Sequence, residues 1–293
     1  MAKIYDFQGN ELLVGGIGGN YLVKGVAHRG YNYSTTGSGT VVVNNVDGGP
    51  ENTLPAYVLA AQKGFKYVET DVAFTSDSVA VLLHDLSINR TSNGTGNINA
   101  LTLEQVRAYD FSYILGTKIN GFDNIQIPTF EEFIHLCRDL SLHPYIELKA
   151  SGGYTQAQIQ SVVNLVRAAA MDGNVTYISF DASYLEYVKN YDANARLGFL
   201  RETESSSSYK LNAAAITTAQ SLMTGTNEVF MDTKTYTSAA VQMCRNAGIK
   251  METWGICLND TKPEIIALNP YISGVTSNKY DAGRVLFENA VEV

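Results

Sequence analysis

Residues 143–180 read HPYIELKASGGYTQAQIQSVVNLVRAAAMDGNVTYISF, and this stretch decides the fold. Pro144–Lys149 and Val175–Phe180 are short runs that hold aromatic and β-branched residues, as strands do. Between them, Thr155 and Gln158 stand at the spacing of a capping box, in which each side chain satisfies a backbone N–H that the first helical turn leaves over. Ile159, Val162, Val163 and Val166 then recur at i, i+3, i+4 and i+7, one apolar stripe for a sheet to cover. Strand, amphipathic helix, strand is the unit of a parallel sheet with a crossover helix.

The same pattern extends in both directions. Strand-like runs at Val26–His28, Tyr67–Val72, Ala195–Leu200, Glu228–Thr233, Ile249–Ile256 and Ile272–Ser277 join the first two. Thr129–Glu132 and Thr261–Glu264 repeat the capping box, and Gly248 stands where a helix-ending glycine belongs. The expected fold is α/β, a (β/α)8 TIM barrel over residues 25–293. Ahead of it, Lys3–Phe7 and Glu11–Val14 predict a hairpin in an N-terminal extension, residues 1–24. Residues 75–126 form a predicted insertion after the second strand, with a strand at Val79–His84 and a short helix opened by Thr102 and Gln105. A long connection, Tyr31–Gly49, follows the first strand. Barrels carry their chemistry on loops at the C-terminal strand ends, so both excursions are expected to wall the site.

Bulk properties narrow the function. Apolar residues at 45% and charged residues at 17% describe a chain able to bury a large core. A net charge of −8 argues against nucleic acid, whose backbone needs clustered Lys and Arg. No apolar run is long enough to span a membrane. Cys137, Cys244 and Cys257 are scattered and read as reduced thiols. Met1–Asp6 lacks the apolar core of a leader, so the expected location is cytoplasmic or phage-particle associated. Neither Gly15–Gly19 nor Gly94–Gly96 completes a nucleotide-binding motif.

Glu69 and Asp71 are two apart on one strand, so both side chains face the same side. Carboxylates that close repel, and either one takes a proton or a cation sits between them. Glu147 adds a third from another strand, with Lys149 on its face. Spacing alone leaves two readings: a divalent cation on oxygen ligands, or strand-end charges paired with Lys and Arg. His28 ends the first strand beside Arg29, and a turn at Ser76–Ser78 is predicted to return His84 to the level of Glu69. Imidazoles there can move protons near neutral pH, or serve as hydrogen-bonded structural residues. Arg29 and Lys149 can hold a phosphate or pair with the carboxylates.

Taken in order, His28–Gly30, Pro50–Thr53, Glu69–Val72, His84–Asp85, Asn89–Thr91, Gly94–Gly96 and Glu147–Lys149 resemble the signature of the glycerophosphodiester phosphodiesterase family. Ile127–Thr129, Ser179–Phe180, Trp254 and Thr276 extend the likeness over residues 25–280. The resemblance implies that Glu69, Asp71 and Glu147 bind Ca²⁺ or Mg²⁺, that His28 and His84 are the acid/base pair, and that Arg29 and Lys149 hold the phosphate. It gives Glu51 a supporting role at the site's edge. Trp254 is placed either to pack on the substrate's alcohol or to fill the barrel rim. Two features depart from the pattern: the long Tyr31–Gly49 connection, and Asn278 where many relatives carry an acid.

The implied activity is metal-dependent hydrolysis of a glycerophosphodiester, a small molecule of lipid metabolism or a glycerol-phosphate polymer, to an alcohol and a glycerol phosphate. Two alternatives accompany it. One is phospholipase D-like lipid cleavage, for which no membrane-docking amphipathic stretch is evident. The other is a cell-wall-binding module of a phage particle, because Lys3–Glu11 resembles the start of phage and prophage tail-associated proteins. Its partner would be a glycerol-phosphate polymer on a cell wall, bound with or without turnover.

Overall fold

The structure, a computed structural model, describes residues 4–5, 11–12, 24–37, 40–203, 209–234, 238–254 and 272–277. Two short strands, β1 (Ile4–Tyr5) and β2 (Glu11–Leu12), pair antiparallel. Then come β3 (Lys24–Ala27), the antiparallel hairpin β4 (Ser34–Gly37) with β5 (Thr40–Val43), helix α1 (Leu54–Gln62) and β6 (Tyr67–Phe74). An excursion follows, with β7 (Ala80–Leu82), α2 (Leu103–Val106), β8 (Tyr113–Ile114) and β9 (Thr117–Lys118). From there helix and strand alternate: α3 (Phe130–Asp139), β10 (His143–Leu148), α4 (Gln156–Ala168), β11 (Thr176–Ser179), α5 (Ala182–Tyr191), β12 (Arg196–Arg201), α6 (Ala213–Leu222), β13 (Val229–Thr233), α7 (Ser238–Asn246), β14 (Lys250–Trp254) and β15 (Ile272–Ser277).

Eight parallel strands among the described residues close in a ring. Going round it, β3 pairs with β6, β6 with β10, and each following strand with the next, until β15 returns to β3. Each of the eight runs expected to be strands overlaps one of these, and the last two residues of the Ile249–Ile256 run lie outside the described residues. A barrel strand is covered on both faces, which is why β13 is buried at every position. Inside the ring pack Val26, Tyr145, Ile178, Leu200 and Phe230, with Phe180 and Trp254 against them. Gly198 leaves room for this layer: a Cβ there would lie 2.4 Å from Phe230 Cζ and 2.7 Å from Ile178 Cγ2.

Outside the ring, the helices bury their stripes against the sheet. The α4 residues Ile159, Val162, Val163 and Val166 are all buried, each worth roughly 1.5–3 kcal/mol of apolar transfer. The capping boxes at Thr102, Thr129 and Thr155 are all formed, and Gly248 has φ +69°. The box at Thr261, Gly15–Gly19, Cys257 and Asn278 lie outside the described residues. Cys137 and Cys244 are buried free thiols.

The excursion after β6 has a small core of its own, in which Ala73, Val81, Leu83, Ile88, Ile98, Val106, Phe111 and Ile127 cluster. β7 folds back on β6 with Val72 opposite Leu82 and Phe74 opposite Ala80. Leu83 N then donates to Asp71 O at 3.0 Å, so His84 arrives beside the middle of β6.

Candidate active site

Two tight loops meet at the C-terminal rim. After β3, Arg29 and Gly30 both take positive φ (+55° and +79°), and Asn52, ahead of α1, does the same at +55°. Left-handed backbone at a non-glycine residue is unfavourable and needs surrounding bonds to hold it. Asn52 N donates to Arg29 O at 3.1 Å, and Arg29 N donates to Glu69 Oε2 at 2.9 Å. At Gly30 a Cβ would lie 2.8 Å from Ala56 Cβ, so the turn sits directly on α1. The Asn52 side chain donates to Asp71 Oδ2 at 2.8 Å and accepts from the hydroxyls of Tyr57 (2.9 Å) and Thr70 (3.1 Å).

Glu69, Asp71 and Glu147 each bring a carboxylate oxygen to within 4.8 Å of the others, and all three are buried. Their proton affinities diverge. Burial, reinforced by Asp71 and Glu147, pushes the Glu69 carboxyl well above the usual range. Burial also raises Glu147, partly opposed by Lys149. Asp71 goes the other way: burial would raise it, but Lys149, His84, Arg29 and His28 together hold it well below the ordinary value. Lys149 Nζ lies 3.0 Å from Glu147 Oε1 and 3.3 Å from Asp71 Oδ1, and Arg29 Nε lies 3.3 Å from Asp71 Oδ2. Glu69 Oε1 is buried with no hydrogen-bond partner. An all-oxygen donor set, crowded anions and an orphaned carboxylate oxygen are what a hard divalent cation satisfies. The residues fit such an ion.

A second ionic chain runs behind the first. Arg29 donates to Glu51 Oε1 at 2.8 Å, and Arg90 grips the same carboxylate with two bonds of 2.7 and 2.8 Å. Burial would raise the Glu51 carboxyl, but Arg29 and the Arg90 hydrogen bonds and charge bring it down to about 2. Arg90 Nε also donates to Asp85 Oδ2 at 2.6 Å, and Asp85 Oδ1 lies 2.6 Å from His84 Nδ1. Burial raises Asp85 less than His84 and Arg90 lower it, so it stays ionised and only accepts. The proton of that bond therefore sits on His84 Nδ1, leaving Nε2 for the site.

A cavity of about 130 Å³ opens at this rim. His28, Arg29, Glu69, His84, Glu147 and Lys149 form one polar wall, and Ile178, Phe180, Leu200 and Trp254, with Asp232 and Thr276, form the rest. His28 Nε2 lies 3.7 Å from Glu69 Oε2. Trp254 packs edge-on against Phe180 with ring centroids 5.7 Å apart. Of the residues expected at the site, Glu51 does not line the cavity but bridges two arginines behind it. No described residue of 31–49 lines it either. That segment is a hairpin whose base is tied down by Tyr33 N to Gly49 O (2.7 Å) and Asn45 Nδ2 to Asn32 O (2.7 Å). Sequence reasoning gave no role to Asn52, Asp85 or Arg90, although each sits inside a quoted motif. Asp232 was missed altogether: one acid in an apolar strand carries no spacing signal.

Residues 28–279 match the Glycerophosphoryl diester phosphodiesterase family. Among curated proteins, Glycerophosphodiester phosphodiesterase 1 of Mus musculus is 33% identical over 140 residues, 48% of this chain and 38% of that protein. Glycerophosphodiester phosphodiesterase of Caldanaerobacter subterraneus is 29% identical over 151 residues, 52% of this chain and 61% of that protein. The chain thus spans less than two thirds of the length of these relatives. Solved structures share the fold. A glycerophosphoryl diester phosphodiesterase of Silicibacter pomeroyi superposes with a TM-score of 0.73 at 19% identity, covering 94% of this chain and 96% of that one. A phosphodiesterase of Oleispira antarctica, solved with its product sn-glycerol-3-phosphate, gives 0.69 at 22%, covering 92% and 97%. With its barrel, its ordered motifs and a match over residues 28–279, the chain belongs to the glycerophosphoryl diester phosphodiesterase family.

Proposed function

We propose that this protein hydrolyses glycerophosphodiesters to an alcohol and a glycerol phosphate, using a divalent cation held by Glu69, Asp71 and Glu147. The observation that carries the reading is the convergence of these three buried carboxylates on one cavity wall that also holds His28, His84, Arg29 and Lys149. Family membership supports the same chemistry.

The cation, when bound, supplies positive charge against the phosphate and its transition state. Arg29 and Lys149 add fixed charge beside it and orient the phosphate. The nucleophile, a water or a neighbouring substrate hydroxyl, gives its proton to one histidine as it attacks phosphorus. The other histidine donates a proton to the alkoxide as the P–O bond to the alcohol breaks. A hydroxyl nucleophile gives a cyclic phosphate, which water then opens. Asp85, fixed by Arg90, positions His84 by holding its Nδ1–H. The wall with Trp254 takes a carbon chain esterified to the phosphate and excludes water. A compact cavity suits a small diester better than a module that only grips a polymer surface.

The test is ³¹P NMR of the purified protein with a panel of glycerophosphodiesters, a glycerol-phosphate oligomer among them. Release of glycerol phosphate with loss of the diester signal is expected. No change in any diester at high protein concentration, with Ca²⁺ or Mg²⁺ present, overturns the reading.

A further inference from the structure

Asp232 takes no part in the chemistry above. It is 1% exposed, yet it lines the cavity and its Oδ1 has no hydrogen-bond partner. The β13–β14 register sets it opposite Glu252. Trp254, two residues beyond Glu252, shares that strand face, so carboxyl and indole meet the cavity from adjacent strands. Trp254 Nε1 is also buried without a partner. Buried polar atoms are nearly always bonded, so an orphaned acceptor and an orphaned donor at one cavity mark a place for a ligand group that satisfies both. A hydroxyl does this with a single oxygen, donating to the carboxyl and accepting from the indole N–H.

We infer that Asp232 and Trp254 form a hydroxyl-reading subsite, in which Asp232 Oδ1 accepts from, and Trp254 Nε1 donates to, a hydroxyl on the carbon chain esterified to the phosphate. Asp232 is then the residue that sets the preference for glycerol over unsubstituted alkyl phosphates. The inference rests on the reading of the protein as a glycerophosphodiester hydrolase and names which substrate feature it selects. Burial, with the charge of Glu252 added, pushes the Asp232 carboxyl well above its ordinary range, with Arg196 opposing. A neutral carboxyl keeps an acceptor oxygen without repelling the phosphate nearby. Of the other side chains of this wall, Ile178, Phe180 and Leu200 carry no acceptor, while Thr276, in register with Trp254 on the next strand, adds a hydroxyl.

Calorimetry on the metal-loaded protein tests this with two probes, sn-glycerol 3-phosphate and n-propyl phosphate, while turnover of a glycerophosphodiester is followed in parallel. Wild type is expected to bind glycerol phosphate about tenfold or more tighter, because a site built to bond a hydroxyl rejects the analogue without one. Asp232→Leu and Trp254→Phe should each reduce that ratio several-fold by weakening glycerol phosphate alone, and Asp232→Asn, which keeps an acceptor, should retain most of it. Trp254→Phe, which removes the N–H together with part of the ring, decides the matter through the ratio of the two probes if Asp232→Leu does not fold. Equal binding of the two probes by wild type overturns the subsite, as does equal weakening of both probes in the variants. A preserved hydroxyl preference without turnover overturns the hydrolase reading instead.

Discussion

Replacing Glu51 by glutamine removes one charge from the ionic chain behind the cavity and almost no volume. The carboxylate accepts three bonds from Arg29 and Arg90 and is nearly inaccessible. These arginines draw its pKa from an ordinary 4.5 to about 2, against the effect of burial. At about 1.4 kcal/mol per pH unit, that difference corresponds to roughly 3 kcal/mol of folding stability at neutral pH. The sign follows from the direction: a carboxyl depressed in the folded state contributes fully above its unfolded pKa. Its contribution is lost as pH falls through the folded value. The wild-type advantage over Glu51→Gln should therefore be about 3 kcal/mol at pH 7 and fall to roughly 1.4 kcal/mol at pH 3. Urea denaturation of both proteins across that range, with equal m-values, measures it. An advantage that stays constant with pH, or is below about 1 kcal/mol at pH 7, would refute the reasoning.

Other outcomes follow from the same contacts. His84→Ala should lower kcat by about 10²-fold, and Asp85→Asn by about tenfold, with the double variant little worse than His84→Ala, since both act through one imidazole; additive losses in steady-state kinetics would separate the two residues. Asn52→Ala removes an acceptor from the Tyr57 and Thr70 hydroxyls and a donor from Asp71, and leaves alanine at φ +55°. It should cost about 2–4 kcal/mol in denaturant melts, and a cost below about 1 kcal/mol would show that the loop does not need the side chain. Trp254→Ala should raise KM for glycerophosphodiesters while kcat changes less, and a fall in kcat with KM unchanged would deny it a binding role.

The fold was legible because each level of the sequence agreed. The runs read as strands are the barrel strands, and Thr102, Thr129 and Thr155 mark real helix starts. The carboxylates were legible because Glu69 and Asp71 obey strand alternation and Glu147 ends a neighbouring strand. His84 was legible because the turn at Ser76–Ser78 fixes the pairing of β7 with β6. The ionic chain was not. Arg90 meets Glu51 across 39 residues of sequence, and no local spacing encodes such a contact. Asn52 does its work through a left-handed backbone and bonds to β6, which become visible only once the two are side by side. The Tyr31–Gly49 connection was expected to help wall the site. It starts at the C-terminal rim, but it forms a hairpin of which no described residue lines the cavity.

We propose that Glu69, Asp71 and Glu147 hold the cation on which hydrolysis depends. The most direct measurement is the rate of glycerol phosphate release before chelation, after chelation, and after Ca²⁺ or Mg²⁺ is returned, with metal content read by elemental analysis at each stage. Activity should vanish with the metal and return with about one divalent ion per chain, and Glu147→Gln should fold normally but stay inactive throughout. Full turnover by a sample shown to be free of divalent metal would contradict it.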